Sequence, residues 1–190
     1  MLPKIQKFNA GRSLFAALFH PMSRTLTDAG TGAPALFFTM TWGSALQVFK
    51  ENAQGELLIE SRFNRKLGLQ AWEVFVGDKK VGTMKAELMR SALSLGTEHW
   101  TILDVNGKEA LVLEAEERST LSHVLDNVSA LYNPTHGYTV RSASGKEVAK
   151  IAMKQGFWKD FYDLTFVAAT EPERELTLAL FSALLLMLKK

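Results

Sequence analysis

From residue 35 onward, short apolar stretches alternate with polar, glycine-containing turns, and within the stretches the large side chains tend to fall at every second position. A period of two is that of a strand with one buried face. Residues 37–42 and 45–50 are rich in aromatic and aliphatic side chains and are parted by Gly43-Ser44, which predicts two strands. Glu51, Asn52, Ala53, Gln54 and Gly55 then supply a polar turn before a third strand at 57–63.

Three later segments share one layout, beginning at Trp72, Trp100 and Tyr138. Each has an aromatic residue, an aliphatic residue two positions on, a turn containing glycine, and a lysine 8 positions after the aromatic (Lys80, Lys108 and Lys146). The spacing predicts three β-hairpins in which Trp100 and Ile102, or Tyr138 and Val140, point into one core. Asn106-Gly107 carries the signal of a two-residue type I′ turn, whose central residues both need positive φ, and Ser144-Gly145 is a weaker version. The leading aromatics stand 28 and 38 residues apart, too irregular for a solenoid or a propeller. The expectation is a mainly β (α+β) fold: a closed antiparallel β-barrel of about twelve strands, since closure removes the edges of a long meander.

Two segments change period. Leu121, Val124, Leu125, Val128 and Leu131 recur at helical spacing between Ser119 or Thr120 as caps and Asn133-Pro134 as a stop, which predicts a short amphipathic helix at 120–131 across one open end of the barrel. After a last strand at 157–167, Thr170 as cap, Pro172 in the first turn and acids at Glu171 and Glu173 start a second helix, expected at about 172–189. Between Leu176 and Leu188 only Thr177 and Ser182 are polar, so this helix is apolar on every face and must be buried on every face. Those 13 residues span about 20 Å at about 1.5 Å each, against about 30 Å for a bilayer's hydrocarbon core. The expectation is a helix enclosed by the protein's own sheet, with no transmembrane span.

Composition narrows the class without naming a task. The 190 residues suffice for one large domain or two small ones, and hydrophobic residues at 47% with charged residues at 22% are ordinary globular values. A net charge of +2 is too even to steer the whole molecule to nucleic acid or to an anionic membrane, so either partner would need a local patch. With no cysteine, disulfides, thiolate metal sites and cysteine nucleophiles are excluded, and the cytoplasm is the default compartment. Residues 1–34, with Lys4, Lys7, Arg12 and Arg24 but no acid before Asp28, are expected to form a partly irregular arm laid on a barrel domain at 35–190. The apolar run 14–19 ends at His20-Pro21 after 6 residues, short for a secretory signal, and an interfacial or organellar segment is the alternative.

Little in the sequence points to catalysis or cofactors. His20, His99, His123 and His136 show no metal-ligand spacing, so neither metal nor cofactor is expected. His123, Asp126 and Asn127 share the polar face of the expected short helix and read as a solvated cluster. Gly30-Thr31-Gly32 lacks the third glycine of a phosphate loop and reads as a plain loop. The four tryptophans begin or end apolar strands and read as core. One basic cluster remains: Arg62, Arg65 and Lys66 around the turn after residue 63, with Lys79 and Lys80 in the next hairpin turn. Five cations brought to one end would attract anionic phosphate head groups; the alternative is ordinary solubilising charge.

The hairpin segments Trp72 to Val81, Trp100 to Val112 and Tyr138 to Ile151, with Glu173-Arg174-Glu175 running into Leu176 to Leu188, resemble the tubby C-terminal-like superfamily, within it the LURP-one-related and phospholipid-scramblase-like group. The resemblance covers residue 37 to the C-terminus and rests on pattern rather than a signature motif. It implies a twelve-stranded barrel filled by the C-terminal helix and a family that hosts phosphoinositide binding, membrane-associated adaptors and proposed lipid scrambling. This chain has no palmitoylation cysteine, proline-rich N-terminal arm, calcium-site loop or separate membrane span after the barrel, which puts scrambling in doubt. The leading expectation is a non-enzymatic module that binds a phospholipid or phosphoinositide head group, or a protein partner, peripheral to a membrane. A structural adaptor acting through protein contacts alone comes second, and a scramblase-like activity or a hydrolase third.

Overall fold

The computed structural model describes residues 4–13, 23–41, 45–64, 71–86, 100–115, 135–154 and 159–187. They form twelve strands and a helix: β1 (Lys7–Ser13), β2 (Ser23–Asp28), β3 (Pro34–Thr41), β4 (Ala45–Lys50), β5 (Leu57–Phe63), β6 (Ala71–Val76), β7 (Lys79–Ala86), β8 (Trp100–Leu103), β9 (Glu109–Ala115), β10 (Thr135–Ser142), β11 (Glu147–Lys154), β12 (Lys159–Phe166) and α1 (Glu171–Met187). Each strand pairs antiparallel with its neighbour in sequence, and β1 pairs with β12, so the sheet is a closed barrel. Closure gives every strand two hydrogen-bonded neighbours and leaves no edge.

The expected N-terminal arm is corrected at this point. Residues 7–13 and 23–28 are barrel strands, running in register with β12 from Lys7 opposite Thr165 to Ser13 opposite Lys159, and with β3 from Ser23 opposite Thr39. Phe8 and Leu26, both fully buried, point into the core, and without these strands β12 and β3 would be unpaired edges. The apolar run 14–19 and the helix expected at 120–131 lie outside the described residues.

Alternation sets the core as expected. Trp72 with Val74, Trp100 with Ile102, and Tyr138 with Val140 are all buried. In each of these hairpins the register shifts directly after the aliphatic residue, at Val74/Phe75, Ile102/Leu103 and Val140/Arg141. The same shift follows Leu26 in the β2–β3 hairpin and Val48 in the β4–β5 hairpin, so the repeat extends to five hairpins. A bulge at one level of five hairpins adds right-handed twist there, which curls the sheet toward closure.

The turns differ from the type I′ expectation. Gly107 has φ 78° but Asn106 does not have positive φ; Asp104 N donates to Lys108 O at 2.8 Å and Gly107 N to Asp104 O at 3.1 Å. Residues 142–146 repeat this with Ser142 N to Lys146 O and Gly145 at φ 80°. Both are type I turns closed by a left-handed glycine and a bulge. Asp104 favours this form because its Oδ1 accepts from the backbone of Asn106 at 2.8 Å and Lys108 at 2.9 Å. These bonds, that of Lys108 foremost, hold its carboxyl below the usual aspartate range.

Helix α1 starts on a capping box: the Glu173 carboxylate accepts from Thr170 N at 2.7 Å and from Thr170 Oγ1 at 2.8 Å. It then packs against β2–β7, β9, β11 and β12, that is, around the barrel's interior, and every residue from Leu176 to Leu185 is buried. The Phe181 ring meets Phe38 edge-on at 6.3 Å. Ser182 Oγ donates to Ala179 O at 2.7 Å, which satisfies one of the helix's two buried hydroxyls. A Cβ on Gly82 of β7 would lie 2.5 Å from Leu103 O and 2.8 Å from Leu176 Cδ2, so the wall is bare where the first buried turn of α1 reaches it. Among the described residues, no helix is long and apolar enough to cross a membrane.

Candidate functional site

Because neighbouring strands alternate direction, the barrel's two ends differ. The turns after β2, β4, β6, β8 and β10, and the start of α1, lie at one end; the connections after β1, β3, β5, β7, β9 and β11 leave from the other. Of the basic cluster, the structure describes Arg62, Lys79 and Lys80. Phe63, after which Arg65 and Lys66 follow, stands opposite Trp72 at the start of β6, whereas Lys79 stands opposite Val76 at its end. Arg65 and Lys66 themselves lie outside the described residues.

On the outer face between these points Arg62 and Lys80 are engaged. Register places Glu60 opposite Phe75 and Gln47, and Arg62 opposite Glu73. Arg62 Nε donates to Glu60 Oε2 at 2.7 Å, and its guanidinium lies over the Phe75 ring, 4.6 Å from the centroid. Gln47 Nε2 donates to Glu60 Oε1 at 3.3 Å, which fixes the carboxylate that holds Arg62. One strand over, Lys80 Nζ donates to Glu73 Oε1 at 2.5 Å. This bond, with the Lys80 charge, a hydrogen bond from Asn64 and the nearby Arg62, holds the Glu73 carboxyl below the usual glutamate range against its partial desolvation.

The strip across β4–β7 is therefore a self-neutralised ladder of Glu60 with Arg62 and Glu73 with Lys80. Its pairs are partly exposed, where such pairs contribute little to stability but set which charges face a ligand. Lys79 is exposed at the turn, close enough to α1 that its charge partly offsets the effect of burial and of Glu171 on Glu175, whose carboxyl is pushed up. The carboxylate that pairs with Arg62 was readable: Glu60 and Arg62 share a face by period two, and so do Glu73 and Phe75. The Glu73–Lys80 contact was not, because it depends on the bulge after Val74.

His20, His99 and His123 lie outside the described residues, and His136 falls in β10. Among the described residues, no group of three or more metal-ligating side chains gathers. Gly30, Thr31 and Gly32 form the β2–β3 turn, where Asp28 accepts from Gly30 N at 2.9 Å and from Thr31 Oγ1 at 3.0 Å. Trp72 and Trp100 lie 5.5 Å apart inside the barrel, with Phe63 at 5.4 Å from Trp72, as core aromatics. Compared with protein-family models, curated proteins and solved structures, the chain matches none of them.

Proposed function

We propose that this protein is a non-enzymatic binding module that works in the cytoplasm at a membrane surface, where it engages a phospholipid or phosphoinositide head group. The observation that carries this reading is the filled barrel. With Leu176 to Leu185 buried and packed around the inside of the wall, the space that other barrels use as a ligand chamber is occupied by the protein itself. Recognition then falls to the outer surface and the ends. A barrel filled by its last helix is also what the tubby-like resemblance implies, and it supports carrying that family's membrane-surface role to this chain as part of the proposal.

The test is cosedimentation with vesicles of phosphatidylcholine alone and with added phosphatidylinositol bisphosphate, at low and high salt. The expected result is binding that needs the anionic lipid, falls with salt and drops on Arg65→Glu/Lys66→Glu. Absence of binding to any vesicle at low salt would overturn the reading.

One observation favours a second reading, an adaptor that acts through protein contacts. Phe37, Phe49 and Leu57 stand in register on neighbouring strands β3, β4 and β5, and Leu57 is 41% exposed, which puts an apolar row near the outer face. Co-purification of a partner that Leu57→Asp releases, with no binding to lipid, selects this reading instead.

A further inference from the structure

Asn106 is the chain's only asparagine followed by glycine, and both residues stand exposed in the β8–β9 turn. No side chain shields the Gly107 nitrogen, so after losing its proton to solvent base it can attack the side-chain carbonyl carbon of Asn106. A bond forms between Gly107 N and Asn106 Cγ, the Cγ–Nδ2 bond breaks, ammonia leaves and a succinimide ring remains. Water then opens the ring at one carbonyl or the other, to aspartate or to isoaspartate. Neither enzyme nor oxidant is required.

The closed turn withholds this reaction. Ring closure needs the Gly107 nitrogen eclipsed with Asn106 Cβ about the Cα–C bond. As the third residue of a type I turn, Asn106 has ψ at about 0°, where that nitrogen eclipses the residue's own backbone nitrogen instead. The Gly107 nitrogen also donates to Asp104 O at 3.1 Å, a bond that breaks before it can swing toward the side chain. Asp104 holds the rest of the frame: its Oδ1 accepts from Asn106 N at 2.8 Å and Lys108 N at 2.9 Å, and its Oδ2 accepts from Asn106 Nδ2 at 3.5 Å, which draws the side-chain amide back over the turn. The turn at 142–146 repeats the backbone pattern with Ser144 at the asparagine's place, so it has no such chemistry.

We propose that Asn106 is a site of spontaneous covalent modification gated by Asp104: it stays an amide while the turn is closed and converts to isoaspartate or aspartate when the turn opens. Opening need not be global, since exposed turns come apart more readily than the core they join. The strand that follows from this turn's geometry is short: β8 pairs with β9 only from Trp100 opposite Leu113 to Leu103 opposite Glu109. Isoaspartate routes the main chain through the side-chain methylene, and the closed turn, with Asp104 N bonded to Lys108 O at 2.8 Å, has no place for the added atom. Conversion therefore loosens the hairpin that buries Trp100 and Ile102 and sets Leu103 O against Gly82, beside the first buried turn of α1. A passing opening of the turn is thereby made permanent.

The test ages the full chain in mildly alkaline buffer, folded or in urea, and follows the change from amide to acid at residue 106 by mass spectrometry of its peptides. Unfolded wild type should convert at least tenfold faster than folded wild type. Folded Asp104→Ala should convert at least fivefold faster than wild type, with Asp104→Ser in its place if the alanine variant does not melt cooperatively. Asp104→Asn keeps the Oδ1 acceptor and should stay within twofold of wild type. So should Arg174→Ala, which weakens the fold at the β1–β12 seam and leaves the turn intact. In the aged protein, hydrogen exchange should quicken in β8 and β9 and stay unchanged in β1 and β12. No conversion at residue 106 in urea overturns the site. Equal rates for folded and unfolded wild type, no gain on removing the Asp104 carboxyl, or an equal gain from Arg174→Ala overturns the gate, and unchanged exchange in β8 and β9 overturns the loosening.

Discussion

The guanidinium of Arg174, in the first turns of the C-terminal helix, donates from Nη2 to the carbonyl oxygen of Ile5 at 2.5 Å. The same group lies over the Phe166 ring, 4.1 Å from its centroid. One side chain thus ties together the lead-in to the first strand, the end of the last strand and the helix that fills them. The Phe166 amide also donates to Gln6 O at 2.8 Å, so the seam is closed by backbone and side chain at one level.

Loss of this tie should be felt as global stability. Arg174→Ala is expected to lower the unfolding free energy by about 1.5–3 kcal/mol, the range for a hydrogen bond from a charged donor. Arg174→Lys should recover less than half, since an ammonium cannot both stack on the ring and reach the carbonyl with a planar fork. Urea denaturation of the three proteins checks this.

The enclosed helix makes a sharper prediction. Leu184, 1% exposed, lies in the hydrophobic core, where a carboxylate would be buried without compensation, so Leu184→Asp should give an insoluble or unfolded product. Leu184→Met, which nearly preserves volume, should cost less than about 1.5 kcal/mol and keep a cooperative melt. A soluble, cooperatively melting aspartate variant is incompatible with the helix's position.

Gly82 tests how closely helix and wall approach. Gly82→Ala places a methyl group against Leu103 O and Leu176 Cδ2, which should cost about 1–3 kcal/mol by overpacking. Shortening the side chain in Gly82→Ala/Leu176→Ala should rescue only part of it, because the carbonyl oxygen remains. Full rescue would place all the strain on Leu176.

Two glutamates should give opposite pH signatures. Burial, and then Glu171 four residues away, push the Glu175 carboxyl above the ordinary value of 4.5, so its protonated form is the one the fold favours. Its favourable contribution is complete below the ordinary value and disappears as pH climbs through the raised one, so Glu175→Gln should stabilise the protein at pH 7 and have little effect at pH 3. Glu73 is held below 4.5, chiefly by the hydrogen bond from Lys80. Its contribution is present above the ordinary value and disappears as pH falls through the lowered one, so Glu73→Gln should destabilise at pH 7 and converge with the wild type in acid. Denaturant midpoints measured between pH 3 and 8 test both signs.

How far the fold could be read from the sequence depended on how much each segment says on its own. The helix was legible because an apolar run without a polar face has one solution at that length, and the hairpins from Trp72, Trp100 and Tyr138 because alternation and turn residues agree. The first two strands were not: in KFNAGRS and SRTLTD, Phe8 and Leu26 are large apolar residues set among mostly polar ones, and only their partners β12 and β3 make them strands. In the basic cluster the cations were visible from sequence, and so was the Glu60–Arg62 pair on one strand face, but the Glu73–Lys80 contact rests on cross-strand register, and strand order alone shows that Lys79 and Phe63 sit toward opposite ends of β6.

Pairing of the first strand with the last has a consequence for synthesis. As the chain emerges from the ribosome, β2 to β11 can zip up hairpin by hairpin, yet the trough they form stays hollow and open along two sides until residues 159–187 have been made. Commitment to the native state is thus deferred until that stretch has been synthesised, and any premature stop within it releases a sticky half-pipe rather than a slightly shortened protein.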